Sequence, residues 1–271
     1  MTPVLAFDIE TVPDCAGIRR LHDLPESLSD PEVAETAFQR RRTQTGGDFL
    51  PPHLHRVIVI SCVLRDDEGV RVFSIGEPER DEQASIQKFF DGVEKLTPQL
   101  VSWNGGGFDL PVLQLRGMLH GVVAPRYWEL GDADREFRYN NYIGRYHVRH
   151  LDLMDLMGLY QPRNNAPLDE VAQLAGLPGK VGLSGESVWR EYLAGGIARI
   201  REYCEADCAN TYLLWLRFQL MRGAHSAAQH AQECAQLREW MAKQDAACWR
   251  EFLSRWQSRS EERRVGKECR L

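Results

Sequence analysis

The amino-acid sequence predicts an α/β fold in which a mixed β-sheet is flanked by helices. Three observations carry that expectation. Apolar runs of strand length recur early, at 4–9, 56–64 and 100–103. A tight acidic turn joins the second of these to a further strand, which makes the two antiparallel neighbours. A segment of helical periodicity then leads into the strand at 100–103, an order that allows it to lie parallel to the first.

Taken in order, residues 4–9 (VLAFDI) are short, apolar and end in polar residues, the pattern of a buried strand. Residues 14–56 are mixed, with several prolines, the basic cluster Arg40, Arg41 and Arg42, and the loop-like GGDFLPPH. They read as an insertion between the first two strands, partly helical over 30–42. RVIVISCVL (56–64) is the strongest strand signal, Asp66-Asp67-Glu68-Gly69 a hairpin turn, and VRVFSIG (70–76) the return strand. Residues 81–96 carry Ile86, Phe89, Phe90, Val93 and Leu96 at helical spacing after an acidic start. LVSW (100–103) is a short strand running into NGGG, and a helix follows over 109–120. Residues 121–149 are loop-rich, basic and aromatic. HLDLMDL (150–156) starts as strand or turn and continues as helix, and 167–177 form a short helix. From Ser187 the chain reads as helical almost to its end, broken at Gly195-Gly196 and Gly223.

The 271 residues allow one large domain or two small ones, and a hydrophobic content of 43% suffices for a substantial core. No apolar run approaches the ~18 residues of a transmembrane helix. The start, MTPVLAFDIET, lacks a basic n-region and a small-residue cleavage site, so a cytoplasmic protein is expected. Seven cysteines, an odd number without C-x-x-C spacing, argue against a disulfide framework and a cysteine-ligated zinc site. Cys204 and Cys208, four apart on a helix, could share a metal, but read more simply as two small buried apolar residues. The net charge of −6 argues against a protein that coats nucleic acid. It leaves open a nucleic-acid enzyme, because divalent cations offset clustered carboxylates.

Three short patterns bear on chemistry. In Phe7-Asp8-Ile9-Glu10-Thr11, strand alternation sends Asp8 and Glu10 to one face. Two adjacent carboxylates repel, and a divalent cation relieves that best, although a solvated strand end reads the same way. In Trp103-Asn104-Gly105-Gly106-Gly107-Phe108-Asp109, a strand runs into three glycines and an acid then opens a helix. The glycines permit close backbone approach, and Asp109 alone could be only a helix cap. In Tyr203-Cys204-Glu205-Ala206-Asp207, Tyr203 and Asp207 share a helix face beside a largely apolar stripe. A carboxylate at such an edge is costly unless paired or coordinated. A fourth stretch, RYNNYIGRYHVRH (138–150), interleaves Arg138, Arg145 and Arg149 with Tyr139, Tyr142 and Tyr146. That mixture suits a single strand, cations meeting phosphates and rings stacking on bases; a packed loop is the plainer alternative.

Each pattern is weak alone. In this order, D-x-E on the first strand, N-x-x-x-F-D after a later strand and Y-x-x-x-D on a late helix are the three exonuclease motifs of the DEDD superfamily in its tyrosine variant. The chain resembles the predicted 3′-5′ exonucleases related to the proofreading domain of family-B DNA polymerases. FDIETVPD, LPPHLHRVIVIS, SWNGGGFDLPVL, HLDLMDL and YCEADCANTYLL carry the likeness, from residue 4 to about 222. The resemblance implies a ribonuclease H-like five-stranded mixed sheet with helices on both sides. It implies two divalent ions, Mg²⁺ or Mn²⁺, roughly 4 Å apart. Asp8, Glu10 and Asp207 would ligate one ion, Asp8 would bridge to the second, and Asp109 would stand nearby. Tyr203 would orient the attacking water. Thr11, Asn104 and Phe108 would contact the terminal nucleotide, while Asp152 and Asp155 fit capping or supporting work better than ligation. The four acids show no departure from the motifs.

The activity so implied is hydrolysis at single-stranded 3′ ends, of DNA foremost. An exoribonuclease of the same chemistry and a non-catalytic nucleic-acid-binding subunit that keeps the fold are the alternatives. In this reading 1–222 form the exonuclease domain and 223–258 a C-terminal helical extension. Residues 259–271 resemble the conceptual translation of a sequencing adapter and are set aside as a non-native tail.

Overall fold

A computed structural model describes residues 2–256 apart from residue 78. Strand β1 (Val4–Pro13) leads into an insertion of two helices, α1 (Cys15–His22) and α2 (Asp30–Thr45). The hairpin β2 (His55–Asp66) and β3 (Gly69–Ser74) follows, then α3 (Glu82–Leu96), β4 (Gln99–Ser102) and α4 (Asp109–His120). After a long irregular segment come β5 (His150–Asp152), α5 (Leu153–Met157), α6 (Leu168–Leu174) and α7 (Val188–Leu193). Helices α8 (Ile197–Met221) and α9 (Ala227–Ala242) follow, and residues 247–256 are again helical.

The five strands form one sheet in the order β3-β2-β1-β4-β5. The β2–β3 hairpin and the β1–β2 pair are antiparallel, whereas β1–β4 and β4–β5 are parallel, so the sheet is mixed as the sequence predicts. Alternation along β1 sorts the two layers. Leu5, Phe7 and Ile9 pack with Ile86 and Phe89 of α3 and with Leu110 and Leu113 of α4. Val4 and Ala6 face the other way, toward Ala206, Ala209 and Leu213 of α8. Asp8 and Glu10 continue this second row, so strand geometry aims them at α8. Among the described residues, no helix is long and apolar enough to cross a membrane.

The insertion is better ordered than its composition suggests. Helix α2 starts at a capping box of Ser29 and Glu32 and stops at Gly46, whose φ of 81° suits glycine. It runs three residues past the expected end. Helix α1 has no counterpart in the sequence reading, because only Cys15 and Ile18 of its residues are buried, too sparse for a periodic signal. The two helices share a small core of Ile18, Val33, Ala34, Ala37, Leu50 and Leu54.

A buried ionic knot fixes this insertion to the body. The Arg116 guanidinium of α4 donates through Nε to Glu82 Oε1 at 2.8 Å and through Nη1 to Asp14 Oδ2 at 2.6 Å. Glu82 Oε1 also accepts the amide of Val57 on β2, at 2.8 Å. One arginine thus ties together the start of α1, β2, α3 and α4.

The C-terminal helices are built into the body as well. Leu237, Met241, Trp249, Phe252 and Trp256 share one core with α8, and Glu233 forms a bidentate pair with Arg65 of β2. The elements on either side of residue 222 therefore have a common core. The tail assigned to 259–271 lies outside the described residues.

Removing Arg116 leaves the buried Asp14 without its counter-charge and Glu82 with His120 Nε2, at 2.8 Å, in place of a guanidinium, a change that typically costs about 3–5 kcal/mol. Arg116→Ala should lower the unfolding free energy by that order in a denaturant titration, and a loss below about 1 kcal/mol would show that the knot does not secure the insertion.

Candidate metal and nucleic-acid site

The site lies where β1 outruns its parallel neighbour. β4 pairs with β1 only from Val4 to Ala6, and the chain then leaves the sheet through Asn104-Gly105-Gly106-Gly107. The freed edge of β1 is met by Asp109, the first residue of α4, whose Oδ1 accepts the Ile9 amide at 3.0 Å. This bond places Asp109 between Asp8 and Glu10 along the strand. A crevice at the carboxyl end of parallel strands is where open α/β sheets bind ligands.

The loop is tight for stated reasons. A Cβ on Gly105 would fall 2.4 Å from Ser102 Oγ, and one on Gly107 would fall 2.5 Å from Asn104 Oδ1. Asn104 adopts φ 66°, a conformation asparagine tolerates. Asp152 organises the loop, accepting from the amides of Asn104 and Gly106, each at 2.9 Å, while capping α5 through Met154. Asp155 is bound bidentately by Arg145 at 2.7 and 2.8 Å. Both acids do the supporting work expected of them.

Helix α8 brings the third element. Tyr203, Cys204 and Asp207 are buried on its sheet-facing side. The Asp8, Glu10 and Cys204 ligand atoms all lie within 4.8 Å of one another, a grouping that could hold a metal ion. Asp207 is 7% exposed and its Oδ1 has no hydrogen-bond partner. Burial pushes the Asp8 carboxyl well above the usual carboxylate range, and the charges of Asp109, Glu10 and Asp207 push it further. Glu10 is raised by burial and by Asp207 and Asp109. Burial raises Asp109 to about 7, against the pull of the Ile9 amide. Burial likewise raises Asp207 to about 6, opposed by the Tyr203 hydroxyl and by Lys180. Asp8 and Glu10 thus each feel the charges of Asp109 and Asp207, while Asp109 and Asp207 lie outside the close grouping of Asp8, Glu10 and Cys204. An orphaned buried oxygen among crowded carboxylates fits divalent cations with oxygen ligands.

Of two further side chains beside the acids, Lys180 escaped the sequence reading and Cys204 was read there as a small buried apolar residue. Cys204 donates its thiol to Asp8 Oδ2 at 3.3 Å; burial holds that thiol protonated, so it acts as a donor beside the acids. Lys180 sits with Nζ 5.8 Å from the Tyr203 ring centroid and opposes the raised pKa values of Glu10 and Asp207. It follows Pro178-Gly179 in an irregular segment, where no periodicity marks it. Its carbonyl is held by Arg255 at 2.8 Å.

The residues named as nucleotide contacts divide. Thr11 sits at a β-bulge, where the β1–β2 register shifts between Glu10 and Thr11. Such bulges re-aim side chains, and the Thr11 hydroxyl meets His55 Nδ1 at 2.8 Å. Burial lowers the His55 pKa, and His55 Nε2 lies 3.0 Å from the Leu50 carbonyl. That carbonyl only accepts, so Nε2 carries the proton and Thr11 donates to Nδ1. Phe108 packs edge-on against His55 at 4.9 Å, and Asn104 is exposed at the loop. In 138–150 Tyr139 and Tyr146 are exposed, but Tyr142 departs from the reading of this stretch as a stacking segment. It is 2% exposed, stacks on Tyr127 and donates to the Pro98 carbonyl at 2.7 Å, so its ring belongs to the core. Arg149 covers Phe137 in the same core. Arg138 is exposed on a short 3₁₀ turn, and Arg145 is engaged by Asp155. In the insertion, Arg42 pairs with Glu35 and Asp48. A cavity of about 460 Å³ borders the glycine loop, lined by Asn104, Gly106, Arg145, Asp152 and Tyr160, but by none of the four acids.

The raised carboxyl pKa values have a consequence for stability. Between the unfolded carboxylate range near 4 and the folded values of about 6 and 7, the metal-free native state holds more protons than the unfolded chain. The contribution of these carboxyls to stability is therefore fully present below about pH 4 and is lost as pH rises through 7. The melting temperature of chelator-treated protein should fall by several degrees from pH 5 to pH 8, since 1 kcal/mol corresponds to roughly 2–4 °C at this size. Mn²⁺ should restore it at pH 8. A flat metal-free profile over that range would mean that the carboxylates are not crowded.

Comparison with known proteins adds one finding. Residues 47–256 match a family model described as a predicted 3′-5′ exonuclease related to the exonuclease domain of PolB. No curated protein matches the chain.

Proposed function

Because the chain belongs to the family of predicted 3′-5′ exonucleases related to the exonuclease domain of PolB, we propose that it removes nucleotides from the 3′ ends of single-stranded nucleic acid, DNA foremost, by hydrolysis assisted by two divalent ions, Mg²⁺ or Mn²⁺. The observation that supports this reading is that Asp8 and Glu10 lie close together and feel the charges of Asp109 and Asp207, whose Oδ1 is buried without a partner. Such crowded charge is relieved near neutral pH either by protons, toward which the raised pKa values lean, or by a bound cation, which keeps the carboxylates ionised.

Asp8, Glu10 and Asp207 would hold one cation, with Asp8 shared toward a second near Asp109. Divalent cations bound there would lower the pKa of an attacking water and stabilise the leaving oxygen. The chain's own groups do the rest. Asp109, locked to the Ile9 amide, keeps its carboxylate at a fixed point beside Asp8. Tyr203 offers a hydroxyl that stays protonated, because burial and then Asp207 raise its pKa, so it orients the water rather than deprotonating it. Lys180 offsets anionic charge beside Glu10 and Asp207. Thr11, Asn104 and Phe108 flank the acids on the strand and loop that approach them. The reading needs no activated nucleophile on the protein.

5′-labelled DNA and RNA oligomers should shorten stepwise from the 3′ end with Mg²⁺ or Mn²⁺ and remain intact with chelator. Asp8→Ala should bring the rate close to background; a folded Asp8→Ala protein with wild-type activity would refute the assignment.

Tyr203 and Asp207 should separate in a Mn²⁺ titration of rate. Asp207→Asn should shift the metal midpoint and lower the maximum together. Tyr203→Phe should keep the midpoint and lose on the order of 10²-fold in turnover, the low end for a positioning group. Equal midpoint shifts in the two variants would make Tyr203 an organiser of the metal site and not of the water.

A further inference from the structure

The insertion between β1 and β2 leaves a phenyl ring open to solvent that the nuclease chemistry does not use. Phe49 is 65% exposed. Its backbone is nevertheless fixed. The Phe49 carbonyl accepts from Arg41 Nε of α2 at 3.0 Å, and the next residue, Leu50, is buried in the insertion core. The Leu50 carbonyl is in turn held by His55 Nε2 at 3.0 Å. Exposed apolar side chains are common on this surface; what sets Phe49 apart is its anchored backbone and the rings beside it.

The surroundings indicate an occupant. One side of the Phe49 ring rests on Phe108, at 5.2 Å between centroids and tilted by 54°, and on His55, at 5.4 Å and 41°. Phe108 and His55 meet edge-on. The three rings therefore form one wall, and that wall is joined to the acids at both ends. Phe108 is followed directly by Asp109, and His55 holds the hydroxyl of Thr11, the neighbour of Glu10. The wall is uncharged, because burial keeps His55 neutral. It offers π surface and no cation, so it suits the base of a nucleotide and not its phosphate.

Resting on the nuclease reading above, we propose that Phe49 is the stacking platform for the 3′-terminal nucleobase, backed by Phe108 and His55, and that it makes an unpaired terminal base the feature the enzyme recognises. Every nucleobase has a π face, so such a platform grips any terminal base without reading sequence. A base inside a duplex has its faces covered by its neighbours and must leave the stack to reach Phe49. The platform accordingly discriminates against paired ends and in favour of single-stranded or frayed ones. The insertion, by contributing this ring from outside the sheet, supplies the selectivity, while the sheet supplies the acids.

The test is a binding titration of the full chain with a single-stranded oligomer carrying 2-aminopurine at its 3′ end, with chelator present so that the strand stays intact. The wild-type protein should quench the terminal fluorophore. Phe49→Ala should bind about 5- to 100-fold more weakly, the span of one lost stacking contact, and should lose the quench. Phe49→Trp should restore both, and the exposure of the site makes misfolding an unsuitable explanation for a loss that tryptophan repairs. An oligomer ending in an abasic residue should bind wild type as weakly as Phe49→Ala binds the complete strand. If wild type binds and shortens strands while Phe49→Ala matches it in affinity and quench, the platform is overturned and the nuclease reading stands. If wild type neither binds nor shortens any strand, the nuclease reading fails and the platform fails with it.

Discussion

Four acids whose charges bear on one another through Asp8, two of them buried (Asp109 and Asp207) and two half-buried (Asp8 and Glu10), constitute the constraint to which the rest of this molecule answers. At neutral pH such a group repels itself, and each member is desolvated. The surrounding structure is arranged to hold the acids in place despite that cost. β1 extends beyond β4, so its edge is open to the side chain of Asp109. The glycine loop is clamped by Asp152, which sets where α4 begins. Lys180 and the Cys204 thiol stand at the margin, one as a charge and one as a neutral donor. Each of these contacts reduces the freedom of an acid, and none neutralises the cluster fully.

The parts visible in the sequence were those with local pattern. Strand alternation put Asp8 and Glu10 on one face, and helical spacing put Tyr203 and Asp207 on another. The structure turns both faces toward each other because Val4 and Ala6 share the row of Asp8 and are covered by α8. What the sequence concealed depends on long-range contact. Lys180 sits in a segment without periodicity and acquires its place only when α8 and the C-terminal helix enclose it. Phe49 looked like one loop residue among prolines and glycines. Its backbone is anchored by α2 and by a histidine of β2, neither of which a local window contains. Cys204 was read as a small apolar residue, which its burial bears out, yet its sulfur also touches Asp8.

Tyr142 illustrates the opposite error. Alternating arginines and tyrosines suggested an open binding strip, because composition records chemistry but not direction. In the structure part of that strip turns inward, while Tyr139 and Tyr146 stay exposed. Tyr142 joins Tyr127 and Phe137, and Arg149 lies over the Phe137 ring. Amphipathic residues serve cores as readily as surfaces. The aromatic surface that does remain open near the acids belongs to a different segment with weaker composition.

The acids are also far apart along the chain. Asp8 lies on the first strand and Asp207 on a helix close to two hundred positions later, with the Lys180 carbonyl held by Arg255 later still. During synthesis at the ribosome, β1 emerges early with two carboxylates exposed and nothing to complete them. The hairpin, the insertion and the Arg116 knot can assemble from the portion already released, but the pairing of β1 with α8 must wait for most of the chain. A nascent polypeptide therefore carries its first two acids without their later partners, and the carboxylate site is complete only with the late helices. Sequence separation, which slows folding by requiring distant segments to meet, here acts as a timer.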